Sequence, residues 1–372
     1  MVERVLIIAG ETSGDAHGAG VVQELKSRNP DIDIFGVGGD KMKQAGMKLT
    51  YHVRDMSFMG FAEVIKHLPM IRSVERSLER LLEIKKPDVV LLIDYPGFNL
   101  RFARIAKKHK AKVAYYISPQ VWAWKKGRVK KMKGIIDKML VVFPFEVPIY
   151  EKEHISVALV GHPLVEEMDS TMDRDQFYAK FNLDTEKRFI AVIPGSRKQE
   201  IRALFSVMLN AAIQLAGKTR EVVVAVAPNL SLDEYLDAVP HGAQIKFIQH
   251  ATHDVMKYAE FAYVTSGTAT LETACNGTPM IVVYKTSPIT YWIARLVVRI
   301  KHIALVNIVA GKTVVPELIQ GSVNVNTLVK EAKMILAQPQ RLEEMKNELQ
   351  RVKEKLGSGG ASSKVADAIL SL

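Results

Sequence analysis

A chain of 372 residues is long for a single hydrophobic core and suits two domains of ordinary size. Hydrophobic residues make up 48% and charged residues 24% of it, which excludes a disordered or fibrous protein; the single cysteine, Cys275, excludes an internal disulfide and suits a reducing compartment. The formal charge of +11 is uneven: the acid-free span 95–136 carries twelve lysines and arginines and a second, 273–316, carries five more, and such fields draw nucleic acid, anionic lipid or phosphorylated substrates.

The N-terminal run MVERVLIIAG has neither the length nor the flanks of a signal peptide and reads as a first core strand. It enters GETSGDAHGAG, where Glu11 and Asp15 sit among Gly10, Gly14 and Gly18. Those glycines are spaced four apart, unlike a dinucleotide-binding loop, and the two acids would repel a pyrophosphate. Either the stretch is a tight turn with Ser13 or Asp15 capping a helix, or it lines a ligand cleft in which Glu11, Ser13 and Asp15 meet sugar hydroxyls.

Short apolar runs then alternate with helix-length segments: DIFGVGG, DVVLLID, KVAYYIS and KMLVVF. That rhythm predicts a parallel sheet wound with helices. In DVVLLIDYPGFN, Asp94 ends a wholly apolar strand and Pro96 and Gly97 stop it. A carboxylate there suits a general base, since partial desolvation raises its pKa; the other reading is a turn stabiliser.

Past VALVGHPLVEEM the rhythm restarts with RFIAVIPGSR, EVVVAVAP, QIKFIQ, EFAYVTSG and PMIVVYK. The expectation is an α/β protein of two doubly wound domains, 1–163 and 164–340, facing across a cleft. Helices in 341–372 would pack back on the first domain or mediate homodimer association. Ligands belong beyond the carboxyl ends of the strands.

Two loops of the second domain suit a diphosphate. Gly195, Ser196 and Arg197 place a guanidinium at a helix start. Ser266, Gly267 and Thr268 repeat the pattern, with Glu272 one turn on to accept from ribose hydroxyls. Together they describe a nucleotide-diphosphate site that needs no metal or other cofactor. NIVAGKT at 307–313 ends like a phosphate-binding loop, but Val306 stands where its first glycine belongs. His250 and His253 have a metal-like spacing with no acid or cysteine completing a set.

Three stretches, 58–74, 121–134 and 287–306, mix large apolar side chains with cations. Aliphatics and methionines outnumber the aromatics that would stack on bases, which argues against nucleic acid. The stretches are either an interfacial membrane surface, with Phe58, Met59, Phe61, Trp122 and Trp124 as apolar contacts, or core helices with solvated basic backs. No window holds the 18 or more uninterrupted apolar residues of a spanning helix.

GETSGDAHGAG, SFMGFAEV, DYPGFN, SPQVWAWKKGR, GHPL, PGSRKQEI, SGTATLE and NIVAGKTVVPELIQ, in this order, resemble the lipid-A-disaccharide synthase family from the first strand to about residue 330. The resemblance implies a GT-B glycosyltransferase of two Rossmann-like domains, the second binding a UDP-sugar. It implies transfer of 2,3-diacylglucosamine from UDP-2,3-diacylglucosamine to the 6-hydroxyl of 2,3-diacylglucosamine 1-phosphate, making a β(1→6) disaccharide without metal. Such an enzyme would be cytoplasmic and peripheral, on the anionic cytoplasmic face of the inner membrane. Carried over by motif, Asp94 is the general base, Arg197 the diphosphate clamp, and Asn307, Glu317 and Gln320 line the donor site. The sequence departs at Thr12, where the family often has alanine, and at VNIVAG, where LPNILAG is common. The same scaffold also serves UDP-N-acetylglucosamine epimerases and peptidoglycan-type transferases, and the cationic spans alone would fit a non-enzymatic binding protein.

Overall fold

The computed structural model describes residues 2–55, 68–122, 126–168, 172–287, 291 and 301–372. The chain divides into two compact units, Met1–Glu166 with Ser358–Leu372, and Glu167–Gly357.

The first unit is built on a seven-stranded sheet in the order β3-β2-β1-β4-β5-β6-β7. Its strands are β1 (Arg4–Ala9), β2 (Asp33–Gly38), β3 (Lys48–His52), β4 (Val89–Ile93), β5 (Lys112–Tyr116), β6 (Lys138–Val141) and β7 (Val157–Leu159). All neighbours pair parallel. The central strands are apolar at nearly every position, VLIIA in β1 and VVLLI in β4, because both faces of a parallel sheet are covered. Helices α1 (Thr12–Arg28), α2 (Asp40–Gln44), α3 (Leu68–Lys85) and α4 (Pro96–Lys108) connect the strands. Helix α4 shows how they pack: Phe98, Phe102, Ala103 and Ala106 recur at helical spacing, all are buried, and the two rings stack at 5.9 Å.

The second unit carries a six-stranded sheet in the order β10-β9-β8-β11-β12-β13, again wholly parallel. It comprises β8 (Arg188–Ile193), β9 (Arg220–Val226), β10 (Lys246–Gln249), β11 (Phe261–Thr265), β12 (Met280–Tyr284) and β13 (Glu317–Ile319). Its helices include α5 (Ser206–Ala216), α6 (Thr252–Tyr258), α7 (Ala269–Cys275), α8 (Leu305–Ala310), α9 (Val325–Leu336) and α10 (Pro339–Leu356). The chain then returns to the first unit as α11 (Ala361–Leu370). There Ser362 binds both carboxylate oxygens of Glu166, and Arg28 of α1 reaches Ser363 and Asp367.

The two parallel α/β sheets agree with the expected fold class. Three strands escaped the sequence reading, β3, β7 and β13. Each ends its sheet, each is part-exposed, and two are only three residues long, so none shows the apolar run that reveals a buried strand. Strand order also selects the ligand-facing loops. In each sheet the order reverses between the first and fourth strands, β1 with β4 and β8 with β11, and the loops leaving that switch point form the crevice where open α/β sheets bind ligands.

Candidate functional site

In the first unit the switch point juxtaposes the loop after β1 with the loop after β4. β4 delivers Asp94 into a left-handed backbone, φ +46, and Tyr95 follows at φ +47. Neither is glycine, and left-handed geometry costs an ordinary residue about 1–2 kcal/mol. Pro96 then starts α4 with its φ already suitable. The turn is closed from beneath by Gly10: a Cβ there would lie 2.2 Å from the Tyr95 ring, so only glycine admits that ring.

Asp94 is half-buried, and burial pushes its carboxyl up to about 6. The negative charge of Glu11 adds to the rise, while a backbone hydrogen bond from Tyr95 and the charge of His17 oppose it. Glu11 itself stands at the start of α1 with no side-chain capping bond, and Ser13 is exposed in the first turn. Asp15 differs. It is buried, and its oxygens accept from the backbone of Gly39 at 2.7 Å, Met42 at 3.0 Å and Lys41 at 3.2 Å. That carboxylate tethers the start of α2 to α1.

The loops after β5 and β6 hold a group that the sequence reading missed. Glu146 is buried, accepts from the Ser118 hydroxyl and from the Phe143 backbone at 3.1 Å, and is pushed up to about 7 by burial. The only signal was an acid inside the apolar run VVFPFEVPIY. Ile117, next to Ser118, has φ +60, an unfavourable conformation for a β-branched residue. Trp122 packs edge-on against Phe145 at 5.6 Å, and Phe145 stacks on Phe143. Exposed Lys130, Lys131 and Lys133 follow. Phe58, Met59, Phe61 and Trp124 lie outside the described residues.

In the second unit the switch-point loops are more open. Gly195 has φ +97 and a Cβ there would lie 2.3 Å from Glu200, so glycine lets the turn fold onto that carboxylate. Asn229 holds the Ser196 carbonyl at 2.9 Å. Arg197 reaches Glu200 at 2.9 Å, yet its side chain is 61% exposed. The helical run that follows includes a widened π turn over Ile201–Phe205 before α5, a distortion frequent at functional sites. After β11, Gly267 and Thr268 are exposed ahead of α7, and the Ser266 hydroxyl donates to the Ile303 carbonyl at 3.2 Å. Glu272 lies 3.6 Å from His253. Among the described residues no group of three His, Cys, Asp or Glu could hold a metal.

Asn307 and Glu317 are brought together and bond each other and the backbone, while Gln320 bonds the backbone of Thr286. Asn307 is wholly buried and fully satisfied: Val314 and Val315 donate to its oxygen at 2.7 and 3.0 Å, and its amide reaches the Val315 carbonyl at 2.8 Å and Glu317 at 2.7 Å. Glu317 also accepts from the backbone of Ile303 at 2.9 Å and Ala304 at 3.3 Å. Gln320 pairs its side-chain amide with both backbone groups of Thr286, at 2.8 and 3.0 Å. These three shape the loop wall. The GKT of NIVAGKT closes a helix, with Gly311 as the left-handed cap of α8, whereas a phosphate-binding loop opens one.

Two wholly parallel α/β sheets are the architecture of the GT-B fold class. The calicheamicin glycosyltransferase superposes with a TM-score of 0.66 at 16% identity, covering 100% of this chain and 98% of that one. The UDP-GlcNAc 2-epimerase of Neisseria meningitidis, solved bound to UDP-GlcNAc, gives 0.68 at 16% identity over 99% of this chain and 100% of its own. Within that class the sequence is specific: the profile of the lipid-A-disaccharide synthetase family matches residues 5–369. The lipid-A-disaccharide synthase of Syntrophus aciditrophicus is 44% identical over 374 residues, spanning 99% of this chain and 97% of that protein. The chain belongs to the lipid-A-disaccharide synthase family and is a glycosyltransferase of lipid A disaccharide synthesis.

Proposed function

We propose that the protein transfers 2,3-diacylglucosamine from UDP-2,3-diacylglucosamine to the 6-hydroxyl of 2,3-diacylglucosamine 1-phosphate, with inversion, to give the β(1→6) disaccharide and UDP. Asp94 takes the proton of the acceptor hydroxyl as its oxygen attacks the anomeric carbon opposite the diphosphate. The bond from that carbon to the phosphate oxygen breaks, and its electron pair leaves with UDP. Arg197, with the backbone N–H groups after Gly195 and Gly267, meets the growing negative charge. A positioned base is worth about 10²–10⁴ in rate, and a donor aimed at developing charge about 10²–10³.

The observation that carries this reading is the Asp94 carboxyl: at a strand end on the ligand-facing edge, half-buried, and raised to about 6 so that it accepts a proton near neutral pH. Glu11, Ser13, Ser266, Thr268 and Glu272 are the candidate partners of sugar hydroxyls. Asn307, Glu317 and Gln320 shape the wall of the donor site. Both substrates are amphiphiles, and no helix among the described residues is long and apolar enough to cross a membrane. The enzyme therefore works against an anionic lipid surface, with Lys130, Lys131 and Lys133 and the aromatic Trp122 as the described part of the contact. Incubating the protein with both lipids and weighing the product tests the reading. Disaccharide is expected from the parent protein and not from Asp94→Asn; equal yield from both would remove Asp94 from the chemistry, and unacylated UDP-GlcNAc serves as the control donor.

A further inference from the structure

The Asp94 turn is held by side chains to which no role has been given. Its carbonyl oxygen accepts from the Tyr115 hydroxyl at 2.6 Å and from the Asn99 amide at 2.8 Å, using both lone pairs. Its N–H donates to the Tyr116 carbonyl at 2.9 Å. Every backbone polar group of Asp94 is thus fixed to β5 or α4.

Asn99 is wholly buried in the first turn of α4, and its amide nitrogen also reaches the carbonyls of Ile93 at 3.1 Å and Ile8 at 3.4 Å. Its own oxygen makes no hydrogen bond. Turning the amide round would set that oxygen against three carbonyls, so the orientation is fixed by its neighbours. A buried unpaired oxygen is unfavourable, and an apolar side chain would avoid it. The residue is explained by what its nitrogen does: it ties the turn to the ends of β1 and β4, the two strands of the switch point. Tyr115 approaches from β5 with its ring fully buried, so its hydroxyl has no freedom to leave.

We propose that Asn99 and Tyr115 are positioning residues for Asp94, clamping its carbonyl in the left-handed turn and so fixing the direction in which its carboxylate leaves the backbone. The inference rests on the reading of Asp94 as the general base. Two successive left-handed non-glycine residues would relax toward ordinary geometry without an outside constraint, and relaxation would swing the Cα–Cβ bond of Asp94 away from its place beside α1. The titratable groups that act on Asp94 are Glu11 at the cap of α1 and His17 within it, with Tyr95 next in the turn and the Tyr115 hydroxyl on its carbonyl.

The test uses Tyr115→Phe, which removes one hydroxyl and nothing else, with Asn99→Ala and Asp94→Asn alongside it in the full-length protein. Tyr115→Phe is expected to lower kcat about tenfold, since small displacements of a reacting group have effects of that order, while KM for both lipids and the Kd for UDP stay within about twofold. The acid limb of kcat moves to lower pH by about half a unit, because a released carboxylate gains water and its pKa falls. Asn99→Ala changes the same quantities in the same direction by more. A purely architectural role would lower Tm and leave kcat and the acid limb in place. Wild-type kcat and an unmoved limb in Tyr115→Phe, with Asp94→Asn inactive, overturn the clamp and leave the base intact; a fully active Asp94→Asn overturns both. Should Asn99→Ala fail to fold, Tyr115→Phe decides.

Discussion

The two ligand-facing edges are made differently. In the first unit Asp94 is set in a strained turn and half-buried near Glu11, so its pKa is displaced upward, as is that of buried Glu146. In the second, the Arg197 guanidinium and the turns at Ser196 and Gly267 are open to solvent, while buried Asn307 and part-buried Glu317 and Gln320 are hydrogen-bonded to the backbone, the first two also to each other. A group that must change protonation needs an environment that perturbs it, and that environment has to be constructed. Groups that hold an anion need only a fixed scaffold and free donors. The contrast teaches that burial at the first edge perturbs titratable carboxylates, whereas at the second it locks polar side chains into the loop backbone.

The sharpest way to break the contrast is Asp94→Asn. Turnover is expected to fall about 10³-fold with UDP affinity unchanged, measured by product formation and by titration calorimetry. Stability should move the other way. The ordinary carboxyl titrates near 3.8 and Asp94 in the fold near 6, so the folded state binds this proton more tightly than the unfolded chain. The group's contribution is most favourable below the lower value and is lost as pH rises through the upper. Asparagine removes that penalty, and urea melts should show it stabilised at pH 8 by up to about 3 kcal/mol and far less at pH 4. In the parent protein, kcat should fall on acidification through pH 6 as the base is protonated.

Asn307→Ala probes the opposite case. It strands four hydrogen-bond partners in a buried place, and the expected loss is about 3 kcal/mol or more of stability, read as a fall in Tm. UDP affinity lost without that fall would turn Asn307 into a ligand contact. Arg197→Ala should weaken UDP binding about tenfold and leave Tm unchanged, because the side chain is exposed. The smallest effect belongs to Lys131→Gln, expected to weaken binding to anionic vesicles about fivefold at low salt, the worth of one cation near such a surface, with no effect on neutral vesicles.

Much of this is legible in the sequence. Asp94 stood out because DVVLLI is apolar throughout and YPG must stop it. The central strands were readable for the same reason. What escaped was whatever depends on partners distant in sequence. Asp15 reads as a loop acid until the amides of Gly39, Lys41 and Met42 come to it. Asn307 and Glu317, ten residues apart, are donor-site residues by resemblance, and no motif says that the chain folds them onto each other. Asn99 was visible only as the last letter of DYPGFN, and no spacing rule says that its nitrogen will face three carbonyls.

The return of α11 to the first unit affects the order of assembly. Residues 358–372 are made after the whole of Glu167–Gly357, yet they belong to the unit begun at the other end. On the ribosome the second-made sheet can therefore close while the first still lacks the helix that Arg28 and Glu166 are waiting to grip. The unit that carries Asp94 is completed by residues 358–372 only after Glu167–Gly357 has been made.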